Sequence, residues 1–398
     1  MTNSAEPEAL PTLNLRPGWT FAALAAGLLL GWLLAGRPAI EPVLAVAGPV
    51  GTIWLHALQM TIVPLVAALL VTGTARMVAT ARAGAMARRT LIAFYAVLTA
   101  GTLLAAFGMP ALLAAFPIPG AASAALAADV AGPQVVPGVA QFFESLVSPN
   151  IVAAARLNER HRAALLGLFE ALGHAMLTIV GWVLWLAPLG VFALAVGVAA
   201  ASGGGAFAAL GHYVLLVASF GFAVLVAAYG VAVVGARLGP ARFARAVLPA
   251  QAVAISTQSS LASLPAMLGS SSALGVREAT ADFVLPLAVA IFRATSPAMN
   301  LAVAIYVAAL TGVELTPGVI AAGFAVAVLT TAGSVSLPGS ISFIASIGPI
   351  AIAMGVPVEP LALLVAVEML PDIMRTLGNV TMDVAVTATV DRSASDLD

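Results

Sequence analysis

From residue 19 onward the chain is a succession of apolar stretches, each able to cross the roughly 30 Å hydrocarbon core of a bilayer as a helix. They cover 19–36 and about 46–74, 90–116, 170–200, 206–235, 283–312 and 361–390. Backbone groups in lipid find no water to bond, so spans of this kind must be helical or close into a barrel. Their length and unbroken apolar character favour helices, and an all-α polytopic membrane protein is expected. Composition agrees: 62% of the 398 residues are hydrophobic and 8% charged, against about 25% charged in soluble domains. A multi-pass protein of the cell (cytoplasmic or inner) membrane follows, with the lipid bilayer as its first partner.

The same arithmetic removes several functions. A net charge of −1 offers no basic excess for nucleic acid. No cysteine is present, which excludes disulfides and thiolate chemistry. All basic residues are Arg, so lysine Schiff bases are excluded as well. His56, His161, His174 and His212 show no metal-ligand spacing, and neither HExxH nor a phosphate-cradling GxxxxGK[ST] loop occurs. The sequence therefore points to no enzyme and no cofactor.

Arginines orient the spans. Arg76, Arg82, Arg88 and Arg89 form one cluster, Arg156, Arg160 and Arg162 a second, and Arg237, Arg242 and Arg245 a third, while 117–143 and 200–205 contain none. By the positive-inside rule the three clusters are cytoplasmic. The chain then leaves the cytoplasm through 90–116 and must return before Arg156, yet 141–158 is short and polar for a crossing.

Two regions, 248–282 and 317–358, are apolar on average but broken by small, Ser- and Pro-containing stretches. Each holds a Ser-Leu-Pro core, at Ser263 and Ser336, 73 residues apart, and each precedes an apolar helix with one interior arginine, Arg293 or Arg375. Paired interruptions in corresponding halves point to the binding site of a secondary transporter.

The last span carries Glu368, Asp372, Arg375, Asn379 and Asp383 at spacings of 4, 3, 4 and 4. On one helix they form a polar stripe about 22 Å long within a wedge of roughly 80°. Ionised groups at bilayer depth cost at least ~2.5–3.5 kcal/mol each, so they must pair or face a wet cavity. Asp372 and Arg375, one turn apart, suit an ammonium and a carboxylate respectively. Near them Arg293 precedes Thr295, Ser296 and Pro297, a pattern for a discontinuous helix. Arg293 serves either as a fixed counter-ion or in place of a bound cation.

At this point the chain resembles the dicarboxylate/amino acid:cation symporter family, the glutamate transporter homologues. The likeness rests on Met60–Leu65, Ala187–Phe192, the two hairpin tips at 257–265 and 333–339, and above all Asp372-x-x-Arg375-Thr376-x-x-Asn379-Val380-Thr381-x-Asp383. It implies an elevator fold with two re-entrant helical hairpins and broken transmembrane helices, assembled as a homotrimer. Residues 1–18 would be a polar segment, 19–247 mainly scaffold, 248–391 the transport domain and 392–398 a tail. Within the transport domain the resemblance places a hairpin at 248–282, a broken helix at 283–312, a second hairpin at 317–358 and a helix at 361–390. It implies that Ser259, Ser260, Ser336, Pro338, Gly339, Asp372, Arg375, Thr376 and Asn379 bind a small anionic substrate. Arg293, Glu368, Asn379 and Asp383 would couple a proton or cation, with Asn379 and Asp383 as the sodium ligands.

The chain departs from the family's pattern where Phe292-Arg293-Ala294-Thr295-Ser296 replaces the usual Asn-Met-Asp-Gly-Thr, and at Gln258 and Leu261 in the first tip. The returning part of the family's fourth helix is missing between Asn158 and Glu159. The expectation is a symporter of aspartate or glutamate driven by protons or by fewer sodium ions than usual. The alternatives are a C4-dicarboxylate symporter and a non-transporting membrane sensor that keeps the site.

Overall fold

The computed structural model describes residues 17–81, 84–119, 159–202, 205–333 and 339–395, and all regular structure among them is helical. Helices α1 (Pro17–Leu34), α2 (Ile40–Ala81) and α3 (Ala85–Ala115) precede α4 (Glu159–Trp185), α5 (Ala187–Ser202) and α6 (Gly205–Val234). Five stretches among the described residues are long and apolar enough to cross a bilayer, within α2, α3, α4, α6 and the run Glu278–Thr311. The protein is a multi-pass integral membrane protein. The segment with the unsolved return crossing lies outside the described residues.

The apolar stretch 170–200 is two helices rather than one, parted at Leu186. Pro188, in the first turn of α5, costs nothing there but would disrupt a continuous helix. After the break α5 packs along α1 and α2. The approach to α1 is close: a Cβ on Gly27 would lie 2.6 Å from the Phe192 carbonyl oxygen. Small residues permit such contacts in lipid, where dispersion replaces the hydrophobic effect as the driving force. Helices α2 and α4 complete this group.

The second half is built around breaks. Helices α7 (Pro240–Thr257) and α8 (Leu264–Leu274) pack on each other through a turn at 258–263. The pair extends from Pro240 to Gly275, within a region where a hairpin over 248–282 was expected. Pro240 starts it at the first helical position and Gly275, at φ 84°, ends it in left-handed backbone. Its base is closed by the Arg242 guanidinium, which donates to the Leu274 carbonyl at 2.9 Å.

Helix α9 (Glu278–Leu287) loosens into a π-helical turn at Ala288–Phe292 and stops at Arg293, where φ is +39°. Helix α10 (Ser296–Thr311) resumes after it with Pro297 in its first turn. Helices α11 (Pro317–Gly333) and α12 (Gly339–Ala353) form a second packed pair.

The last apolar stretch is also interrupted. Helix α13 (Glu359–Leu364) passes through a tight turn at 365–368 into α14 (Met369–Ser395). In the turn the N–H groups of Ala366, Val367 and Glu368 reach back three residues, as in Val367 to Leu364 at 3.1 Å. Pro371 explains it, because its ring would collide with the carbonyl of Val367 in a continuous α-helix. The polar stripe therefore does not lie on one helix: Glu368 sits in the turn and the other four residues on α14.

Helix α14 packs mainly on α6, and α10 on α3. Gly221 of α6 and Gly378 of α14 make the first contact possible: a Cβ on Gly378 would lie 3.1 Å from the Gly221 carbonyl oxygen. At the far end Asp391 accepts hydrogen bonds from Arg277 Nε at 2.8 Å and Thr280 Oγ1 at 2.7 Å. That end also holds Arg237, Arg242 and Arg245, which places the open end of the α7–α8 pair and the α14 terminus on the arginine-rich side.

Candidate functional site

The two breaks, at 293–295 and 365–368, bring four ionisable side chains together in an apolar interior. Arg375 Nη2 donates to Glu368 Oε1 at 2.8 Å, and Nη1 to Asn300 Oδ1 of α10 at 2.8 Å. Its Nε lies 3.4 Å from Asp372 Oδ1. The three side chains of the ion-pair cluster, Arg375, Glu368 and Asp372, are only 6%, 2% and 9% exposed, so solvent screens them little. Tyr213 of α6 reaches the second oxygen of Glu368 at 3.5 Å. Arg293 is half-buried and within electrostatic reach of both Asp372 and Arg375. Its left-handed backbone costs a non-glycine residue roughly 1–3 kcal/mol, a strain found where surrounding structure demands the geometry.

Asn379 spans the first break. Its Oδ1 accepts the Thr295 backbone N–H at 2.8 Å and lies 2.9 Å from the Thr295 hydroxyl, which is also 3.0 Å from the Arg375 carbonyl. The carboxamide oxygen is thus committed to the chain itself, and the N–H groups are the part able to meet a carboxylate. Thr376 is buried beside Arg375. Asp383, one turn beyond Asn379, is 1% exposed, and its Oδ1 has no hydrogen-bond partner among the described residues. A bare carboxylate oxygen is costly to bury, so this atom favours a proton or a cation.

The turn at 258–263 reaches the site edge, where Gln258 Nε2 donates to the Met369 carbonyl at 3.4 Å. Ser259 uses its hydroxyl within the tip, accepting from the Ala262 N–H at 3.2 Å, and Ser260 is half-buried beside it. Of the second tip, Ser336 and Pro338 lie outside the described residues, and Gly339 opens α12.

Asn300 and Tyr213 were not singled out by the sequence, and Thr295 was marked there for the helix break alone, not for its bond to Asn379. A lone Asn and a lone Tyr in otherwise apolar helices were the available signals, since polar groups at membrane depth are expensive. Among the described residues no group of three or more His, Asp or Glu side chains is placed to hold a metal.

The model of the Sodium:dicarboxylate symporter family matches residues 18–159 and 152–393. The chain belongs to this family. The two matched pieces meet at 152–159, where the return crossing was missing. A "Proton/sodium-glutamate symport protein" from Bacillus subtilis (strain 168) is 26% identical, covering 91% of this chain and 88% of the relative. A "Proton/glutamate-aspartate symporter" from Escherichia coli (strain K12) is 27% identical over 90% of this chain and 88% of its own. A "C4-dicarboxylate transport protein 2" from Ralstonia nicotianae is 28% identical over 62% of this chain and 55% of its own. As a member of the symporter family the protein is a secondary transporter, not an enzyme.

Proposed function

We propose that the protein carries an acidic amino acid such as aspartate or glutamate across the membrane together with a proton, and that Glu368 is the group the proton neutralises. The supporting observation is the grip of Glu368 on Arg375, in which a carboxylate of the chain occupies the fork that a substrate carboxylate would use.

Charge decides between substrates. Glu368 and Asp372 against Arg293 and Arg375 sum to zero when all are ionised. A proton on Glu368 weakens its hold on Arg375 and leaves one net positive charge. A dicarboxylic amino acid, with two carboxylates and one ammonium, brings one negative charge and cancels it. Its ammonium pairs with Asp372 and its side-chain carboxylate with Arg375, while Asn379 N–H groups, Thr376 and the Ser259–Ser260 tip contact the rest. A C4-dicarboxylate dianion would leave Asp372 facing a second negative charge.

Sodium fits the residues less well. Asn379 Oδ1 already accepts the Thr295 backbone N–H and lies 2.9 Å from the Thr295 hydroxyl, which leaves the Asp383 carboxylate as the main side-chain oxygen for a cation. Arg293 supplies a permanent positive charge at the break, and Asp383 can carry a second proton or a single sodium ion.

In the transport cycle, the breaks and hairpins of 240–391 would move with α3 and α6, which pack on α10 and α14. Helices α1, α2, α4 and α5, which pack mainly among themselves, would form the stationary scaffold of a trimer, as the family resemblance implies. Uptake of labelled aspartate into proteoliposomes, with proton and sodium gradients imposed separately and succinate as competitor, tests the reading. Accumulation driven by the proton gradient and poorly inhibited by succinate is expected. An absolute requirement for sodium, or equal competition by succinate, would overturn it.

A further inference from the structure

From α6, the wholly buried Tyr213 reaches Glu368. Its ring rests edge to face on the ring of the buried Tyr306 of α10, with centroids 5.3 Å apart. Helix α6 itself packs along α14, so the phenol is held between elements with its hydroxyl at the Glu368 carboxylate. Arg375 and Tyr213 take different oxygens of that carboxylate: Oε1 lies 2.8 Å from Arg375 Nη2, and Oε2 lies 3.5 Å from the Tyr213 hydroxyl. The first is a short charge-assisted bond. The second is about 0.7 Å longer than an ordinary O–H···O bond. The carboxylate is thus drawn up to Arg375 and stands off Tyr213. The charged and titratable groups around Glu368 are Arg375 and Asp372 of α14 and Tyr213 of α6. Beyond them, Arg293 is within electrostatic reach of Asp372, and Tyr306 lies against Tyr213.

Resting on the proton-coupled reading above, we propose that Tyr213 is a positioning residue, which takes Glu368 over when a substrate carboxylate takes Arg375. The two partners differ in the way this exchange needs. A guanidinium only donates, so it holds the carboxylate ion but gives the O–H of a neutral acid no acceptor. A phenol hydroxyl both donates and accepts, and it turns about its own C–O bond. It donates to the ion and accepts from the acid, so Tyr213 serves Glu368 in both protonation states. Without it, the acid released from Arg375 would be a buried polar group short of a partner, which is costly. The surroundings confine the exchange to side chains. The Asp372 N–H holds the Glu368 carbonyl at 2.9 Å, which keeps the turn at 365–368 in place. Asn300 Oδ1 keeps Arg375 Nη1 at 2.8 Å, so the guanidinium stays aimed while its Nη2 changes partner. Closing the Tyr213 contact then needs a carboxyl shift of only about 1 Å or less.

Tyr213→Phe keeps the ring and its packing on Tyr306 and removes the hydroxyl alone, and two measurements on it test the proposal. Aspartate affinity in sodium-free buffer should weaken about three- to tenfold, the worth of one hydrogen bond to a neutral group. In infrared difference spectra, aspartate binding to the parent should raise a protonated-carboxyl band that Glu368→Gln lacks. Tyr213→Phe should keep this band and move it to higher frequency, as for a carboxylic acid that has lost a hydrogen bond. Parent-like or stronger binding would overturn the proposal. Weaker binding with a band that does not move would also overturn it, by marking Tyr213 as packing. If the parent shows no such band, or Glu368→Gln keeps it, the proton-coupled reading falls first and is seen to fall before Tyr213→Phe is compared.

Discussion

Glu368 and Arg375 are seven positions apart, yet their side chains meet at 2.8 Å because Glu368 lies in the tight turn that Pro371 enforces. On a continuous helix they would stand nearly two turns apart, too far to fork. The break turns a stripe of charges into a closed ring of donors and acceptors around one guanidinium.

The first consequence concerns Glu368→Gln. The amide keeps much of the shape but competes weakly for Arg375 and cannot titrate. Aspartate binding by this variant should become independent of pH, and proton-driven accumulation should be lost while aspartate exchange across the vesicle membrane persists. A pH-dependent affinity like that of the parent would contradict the role given to Glu368.

Arg375→Ala leaves Glu368 and Asp372 facing each other without their buried partner. Losing one member of a buried, hydrogen-bonded charge pair costs roughly 2–5 kcal/mol, so substrate affinity should fall by two orders of magnitude or so. Arg375→Lys should recover little, because an ammonium cannot bridge Glu368, Asn300 and Asp372 together. Binding titrations on both variants measure this.

Asn379→Ala removes the acceptor that ties Thr295 across the first break. Stranding a buried backbone N–H costs about 1–3 kcal/mol, visible as a lower thermal unfolding midpoint in detergent. Gly378→Ala should act on the same region by a different route. Its methyl would press on Thr295 and on the Gly221 carbonyl, and overpacking of this kind costs about 1–3 kcal/mol.

Asp391, at the arginine-rich end, gives a pH signature distinct from transport. Burial alone would raise its carboxyl, but hydrogen bonds from Arg277 and Thr280 outweigh it and hold the group below the ordinary carboxylate range. A depressed acid contributes stability that is complete above its unfolded titration and is lost as pH falls through the folded one. Acid unfolding of Asp391→Asn should therefore lack part of the parent's loss of stability below about pH 4, the ordinary range for aspartate.

Much of this was legible in the sequence because lipid is a strict solvent. It forced helices, set their lengths, and made Asp372, Arg375 and Asp383 conspicuous against an apolar background. What stayed hidden was geometry arising between elements. Pro371 sits in plain view, but only its clash with Val367 moves Glu368 out of the helix and onto Arg375. Asn300 reads as one polar residue among apolar ones until α10 lies against α14. The split at Leu186 was missed because Pro188 interrupts no run of apolar residues, only the backbone's hydrogen bonding.

The most direct test is an equilibrium titration of aspartate at a series of pH values in sodium-free buffer. If substrate and ionised Glu368 compete for Arg375, one proton enters with each aspartate, and affinity should strengthen close to tenfold for each unit of falling pH above the site's titration. An affinity that ignores pH and appears only when sodium is added would contradict the account.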